Sequence, residues 1–138
     1  MNDRQITVLT GTRAADLVAV FALLSRGGVD VRAHCLVDNG SGHGKLRLIV
    51  SEPDKALALL SEARLAAVVN PVVIVEADDR PGGLSRILAL LENEEIQIEY
   101  TYTAASERPG VAVMVFRFSD TPAALRVLAQ GGYGASAA

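Results

Sequence analysis

Leu84-Ser85-Arg86-Ile87-Leu88-Ala89-Leu90-Leu91 is the stretch on which the fold turns. Leu84, Ile87, Leu88 and Leu91 fall at i, i+3, i+4 and i+7, the spacing of an amphipathic helix that lays one stripe on a core. Before it, Val72-Val73-Ile74-Val75 reads as a short apolar strand followed by a polar loop. After it, Ile96, Ile98, Tyr100 and Tyr102 alternate with Gln97, Glu99, Thr101 and Thr103. That period of two predicts a half-buried strand. Glu107-Arg108-Pro109-Gly110 predicts a turn, and residues 111–118 a further strand. Asp120-Thr121-Pro122 introduces a second helix carrying Leu125 and Leu128, since proline is tolerated near a helix start. A last short strand is expected around Tyr133. The order is β-α-β-β-α-β.

The first half of the chain repeats this order. Leu17 matches Leu84 at an offset of 67 residues, and the same offset carries Val20 to Ile87, Leu24 to Leu91, Val29 to Ile96 and Val31 to Ile98. After one inserted residue, an offset of 68 carries Ser51 to Ser119, Leu57 to Leu125 and Leu60 to Leu128. Ile6 to Leu9 predicts the first strand, and residues 14–26 a helix that ends near Gly27-Gly28. Strands are expected over 29–37 and 45–50, a helix over 53–63 and a fourth strand near 66–69. Sequence self-similarity at one period is read first, because it fixes the architecture. The expected fold is α+β: two ferredoxin-like βαββαβ modules, 1–70 and 71–138, each with an antiparallel four-stranded sheet and both helices on one face.

A module of this size is marginal as a lone core. Val111-Ala112-Val113-Met114-Val115-Phe116 is apolar at both parities, whereas a strand with one wet face should alternate. The second sheet face is therefore expected to be covered, with the modules packed together and the chain assembled as a homodimer or larger.

Function in so widely used a fold must come from the site. Asp79-Arg80-Pro81-Gly82-Gly83-Leu84 sits between the first strand and first helix of the second module. Glycine lets backbone approach a ligand closely, and proline presets the turn. The first helical N–H groups have no internal partner, and the helix dipole favours an anion there. A ligand carboxylate fits that end, with Asp79 left to hold an ammonium group. Two plainer readings stand beside this one. Asp79 closes a turn with its own backbone, and Gln97 is a solvated strand residue.

The same loop resembles the signature loop of ACT domains, an acidic or amide residue followed by Arg-Pro-Gly-x-Leu. The tandem layout is similar to small two-module ACT proteins over nearly the full chain. The resemblance implies a regulatory module that binds a free amino acid at an interface between paired modules. In ACT domains of the phosphoglycerate dehydrogenase type, the polar loop residue and another entering the second strand hold the amino acid. Their matches here are Asp79 and Gln97. A position two residues before the loop's polar residue, often histidine in that type, is Ala77 here. In the first module, Gly11-Thr12-Arg13-Ala14-Ala15-Asp16-Leu17 places Thr12 at the Asp79 position, Asp30 at the Gln97 position, and alanines where the proline and glycine stand. The resemblance also implies action in trans on a biosynthetic enzyme. An alternative is a regulatory subunit resembling the small subunit of acetolactate synthase, working mainly by protein contact.

Other classes find little support. Half the residues are hydrophobic and 21% are charged, which fits a folded globular chain. The net charge of −3, with basic residues spread along the chain, offers no basic patch for nucleic acid. The single cysteine, Cys35, allows neither an internal disulfide nor a cysteine-cluster metal site. His34 and Cys35 are neighbours on a strand and point to opposite faces. Asn39-Gly40-Ser41-Gly42-His43-Gly44-Lys45 fails as a phosphate loop, because Leu46 follows the lysine and a strand follows the loop. No nucleophile is paired with a base. No apolar stretch reaches the roughly 18 to 20 residues of a membrane span, and the first residues lack a signal-peptide pattern. The expectations are no catalytic residues, no metal, no cofactor, no nucleic-acid or membrane partner, and a cytoplasmic location.

Overall fold

A computed structural model describes residues 4–137. It is an α+β fold with two sheets and four helices. The elements run β1 (Arg4–Gly11), α1 (Ala14–Arg26), β2 (Val31–Asp38), β3 (His43–Val50), α2 (Pro53–Glu62) and β4 (Ala67–Pro71). They continue with β5 (Val73–Asp78), α3 (Gly83–Leu91), β6 (Ile98–Ala104), β7 (Val111–Phe118), α4 (Thr121–Gln130) and β8 (Ala135–Ala137). The chain divides into two compact units, Met1–Asn70 and Pro71–Ala138.

In the first unit the strand order is β2-β3-β1-β4. β1 and β3 are antiparallel from Ile6 opposite Leu48 to Gly11 opposite His43. In the second unit the order is β6-β7-β5-β8. β5 and β7 are antiparallel from Val73 opposite Phe116 to Asp78 opposite Val111. The expectation of a four-stranded sheet in each module is met in full only by the first. The second sheet has three long strands, and β8 fills its fourth place with three residues paired to Val73–Val75. The segment leading into it holds Gly131, Gly132 and Gly134, which have little strand propensity. Tyr133, expected within that strand, instead packs half-buried on the second core.

The duplication is visible in the cores. Ile6, Val8, Val20, Leu24, Leu46, Leu48, Val50, Ala56 and Leu60 are buried together in the first unit. Their counterparts Val73, Val75, Ile87, Leu91, Met114, Phe116, Phe118, Ala124 and Leu128 are buried together in the second. Leucines on β3 become Met114 and Phe116 on β7 and Val50 becomes Phe118, while Ile6 becomes the smaller Val73.

Two details depart from the simple alternation. Each second strand has a bulge, between Val31 and Ala33 on β2 and between Ile98 and Tyr100 on β6. One extra residue turns the remainder of the strand over to the other face. Ile98 therefore packs with the helices, while Tyr100 and Tyr102 stack on one another on the opposite face. The α3 stripe is only half covered: Ile87 and Leu91 are buried, but Leu84 and Leu88 are 40% and 37% exposed. On β7, Val113 and Val115 are buried although they alternate with the residues of the helix-side core.

The first unit also buries Gln5 and Thr7. The Gln5 amide donates to the Thr7 hydroxyl at 3.1 Å, and that hydroxyl donates to Asn70 Oδ1 at 2.6 Å. The buried polar atoms thus satisfy one another, as burial requires.

Candidate functional site

The loop between β5 and α3 is a turn built by proline and glycine. The Gly83 N–H donates to the Arg80 carbonyl at 3.0 Å, closing a four-residue turn. Gly82, its third residue, has φ 88° and ψ −4°, the type II conformation that favours glycine, with Pro81 at the preferred second place. Gly83 is needed for another reason. A Cβ there would lie 2.1 Å from the Asp78 carbonyl oxygen, whereas one on Gly82 meets nothing within 4 Å. Gly82 is fixed by its dihedral, Gly83 by space.

Asp79, Arg80, Pro81 and Gly82 are exposed, and Leu84 opens the helix beside them. The Asp78 carboxylate accepts ion pairs from Arg80 at 3.2 Å and Arg86 at 3.3 Å. Glu76 pairs with Arg108 from the β6–β7 hairpin. The sequence does not single out Arg86 and Arg108 as neighbours of the loop. Arg86 lies one helical turn inside α3, and Arg108 arrives only through strand pairing. A hollow of about 380 Å³, lined in part by Glu76, Ala77, Asp78, Val111 and Tyr133, lies beside the loop.

The first unit holds the equivalent loop in place by the same bond. The Thr12 N–H donates to the Gly42 carbonyl at 3.1 Å, and the Asp79 N–H to the Gly110 carbonyl at 3.0 Å. Each loop is thus tied to the hairpin glycine of its own unit. The helix ends differ. α1 begins at Ala14, without a left-handed residue, and Asp16 Oδ2 accepts the Arg13 N–H at 3.1 Å. Asp16 stands at the position of Gly83. α3 has no acidic residue in its first turn and no side-chain cap. One helix end supplies its own anion; the other carries none, and its Gly83 N–H is held by the Arg80 carbonyl.

Gln97 and Asp30 lie elsewhere. The Gln97 N–H donates to Ser119 Oγ and the Asp30 N–H to Ser51 Oγ, both at 2.9 Å. Both side chains are exposed. Asp78 pairs with Val111, and Ile98 with Phe118, at opposite ends of β7. Seven residue steps along β7, roughly 23 Å at strand rise, separate the partners of Asp78 and Ile98, and Asp79 and Gln97 lie beyond those two ends. Thr12 and Asp30 are parted in the same way along β3. Within one unit the two expected ligand contacts are not brought together. Gln97 instead lines a hollow of about 520 Å³ with Glu94, Glu95 and Ser119.

Among the described residues no group of three or more His, Cys, Asp or Glu side chains is placed to hold a metal ion. Among the described residues no helix is long and apolar enough to cross a membrane.

The chain matches the family model of the ACT domain pair over residues 1–131. It resembles the crystal structure of protein BT0572 from Bacteroides thetaiotaomicron at 30% identity and TM-score 0.87, covering 97% of this chain and 91% of that one. The fold is also that of the regulatory subunit of aspartate kinase from Thermus thermophilus in its ligand-free form, at 18% identity and TM-score 0.66, covering 93% and 91%. The corresponding subunit from Thermus flavus gives 18% and 0.62, covering 94% and 93%. No curated protein matches the chain. With nearly its whole length matched, and with the glycine loop at the strand-to-helix junction of the second unit, the chain belongs to the ACT domain pair family.

Proposed function

We propose that this chain is a non-catalytic regulatory sensor, built from ACT-like modules 1–70 and 71–138, that binds a free amino acid at the loop of the second module. One observation carries the reading: the N-terminal turn of α3 has no acidic residue and no side-chain cap, whereas Asp16 already occupies the matching end of α1. The ligand carboxylate takes the first-turn N–H groups of α3 other than that of Gly83, which the Arg80 carbonyl holds; the dipole favours an anion there. Asp79 takes the ammonium group, and Arg80, Pro81 and Leu84 frame the turn. Since Gln97 lies more than about 23 Å away in its own module, it serves a site only as the contribution of a neighbouring module across an interface. The first loop, with Thr12, is the weaker site, and Asp30, like Gln97, serves one only from a neighbouring module. The chain acts as a cytoplasmic homodimer and passes its ligand state to a biosynthetic enzyme in trans.

A second reading has one feature in its favour. Leu84 and Leu88 form an exposed apolar pair on α3, one turn apart and suited to a protein partner. The chain is then a regulatory subunit working mainly by contact. A thermal-shift panel of the common amino acids, run beside light scattering for the dimer, separates the two. A bound ligand at 100 times its dissociation constant adds about 2.7 kcal/mol, hence a shift of several degrees for the sensor. A flat panel at millimolar concentrations favours the subunit.

A further inference from the structure

The first unit has a hollow on the face of its sheet turned from α1 and α2. Ile6, Val8, Leu46 and Leu48 pack with the helices, so the residues alternating with them point the other way. Register then sets Leu9, Lys45 and Val37 side by side in one row, with Thr7, Arg47 and Cys35 in the next. Leu9 and Val37 are 52% and 51% exposed. Together with Asn39, His43, Lys45 and Arg47 they line a cavity of about 580 Å³. That volume is in the range of small-molecule sites, roughly 300 to 1,000 Å³. Its floor is aliphatic, its walls carry basic side chains, and no acidic side chain lines it.

The duplication shows that this chemistry is not a by-product of the module. The positions matching Leu9, Val37, Lys45 and Arg47 in the second unit are Glu76, Ala104, Val113 and Val115. There the aliphatic residue is replaced by a glutamate that pairs with Arg108, and both cations are replaced by buried valines. The nearby glycine-rich hairpin does not cradle a phosphate. Its Gly40 N–H is already held by Asp38 Oδ1 at 2.9 Å, its Ser41 N–H by Asn39 Oδ1 at 3.1 Å, and its Asn39 N–H by the His43 carbonyl at 2.9 Å.

We propose that this cavity binds a small carboxylic acid that lacks an amino group, its carboxylate taken by Lys45 with Arg47 and its aliphatic or aromatic body laid on Leu9 and Val37. Lys45 repels an ammonium group, so the site selects against free amino acids. It is independent of the sensor reading, which rests on the loop of the second unit. The pairing of a charged head with an apolar body matches the lining: charge-assisted bonds orient, and apolar contact holds.

Methyl-resolved NMR titration of the full chain with 4-methylpentanoate tests this, with 4-methylpentanamide and leucine as matched probes. The acid is expected to shift the Leu9 and Val37 methyl signals at low-millimolar concentration, with the amide and leucine much weaker there. Lys45→Met is expected to weaken the acid by roughly tenfold, Lys45→Arg to restore it, and Gly82→Asn to leave it unchanged. Equal binding of acid and amide would overturn the proposal, as would an unchanged affinity in folded Lys45→Met. Absence of any methyl shift would do so too. So would protection of these methyls by a second protein copy, which would make the face a protein interface.

Discussion

Gly82 and Gly83 stand side by side and are irreplaceable for different reasons, which gives their substitutions different signatures. At φ 88° a β-branched side chain is strained, while asparagine tolerates the left-handed region. Gly82→Asn is therefore expected to lose less than about 1 kcal/mol of stability, and Gly82→Val more, about 2 kcal/mol. Gly83→Ala drives a Cβ against the Asp78 carbonyl oxygen and is expected to lose about 1 to 3 kcal/mol despite its small size. Urea unfolding of the three variants reads this. A Gly83→Ala variant as stable as the parent would show that the turn relaxes freely. The glycines and proline are legible in the sequence because turn chemistry is local. The distinction between them is not, since the carbonyl that excludes a Cβ at Gly83 belongs to a strand residue whose position depends on the folded turn. Asp16 is equally hidden: the sequence places it in the first turn of the helix that starts at 14, but not its carboxylate on the Arg13 N–H.

At the scale of elements, the repeat offset places every helix and the seven strands from β1 to β7, because each module's pattern is sampled twice. The bulges are invisible in it. Ile98 and Tyr102 share a parity in the sequence, yet the extra residue at Glu99 puts them on opposite faces. Alternation reports a period but not where it slips. Bulge and serine recur together: Ser51 and Ser119 bind the residues just before β2 and β6 in the same way, each hydroxyl accepting one N–H and each serine N–H donating back to the same residue's carbonyl. Ser51→Ala and Ser119→Ala are thus expected to lose similar amounts, about 1 kcal/mol each, in equilibrium unfolding. A loss confined to one of them would mean that the two junctions are not energetically equivalent. β8 escapes clear reading since Gly131, Gly132 and Gly134 leave the tail without a strand pattern.

For the whole molecule, duplication followed by divergence is the organising fact. The two units share core positions almost residue for residue. They differ where chemistry is expected: an open helix end in one, a basic cavity in the other. The separation of Asp79 from Gln97 is implicit in the expected β-α-β order, because α3 carries the chain back along the sheet before β6 begins. The central claim is that the second loop, and not the first, takes the amino acid. Calorimetric titration of the best ligand from the thermal panel into the parent, Asp79→Ala and Thr12→Ala tests it most directly, with circular dichroism confirming that each variant is folded. Loss of a hydrogen bond to a charged group, about 1.5 to 3 kcal/mol, predicts a drop in affinity of at least roughly tenfold for Asp79→Ala and almost none for Thr12→Ala. Equal losses from both variants, or an unchanged affinity in folded Asp79→Ala, would contradict it.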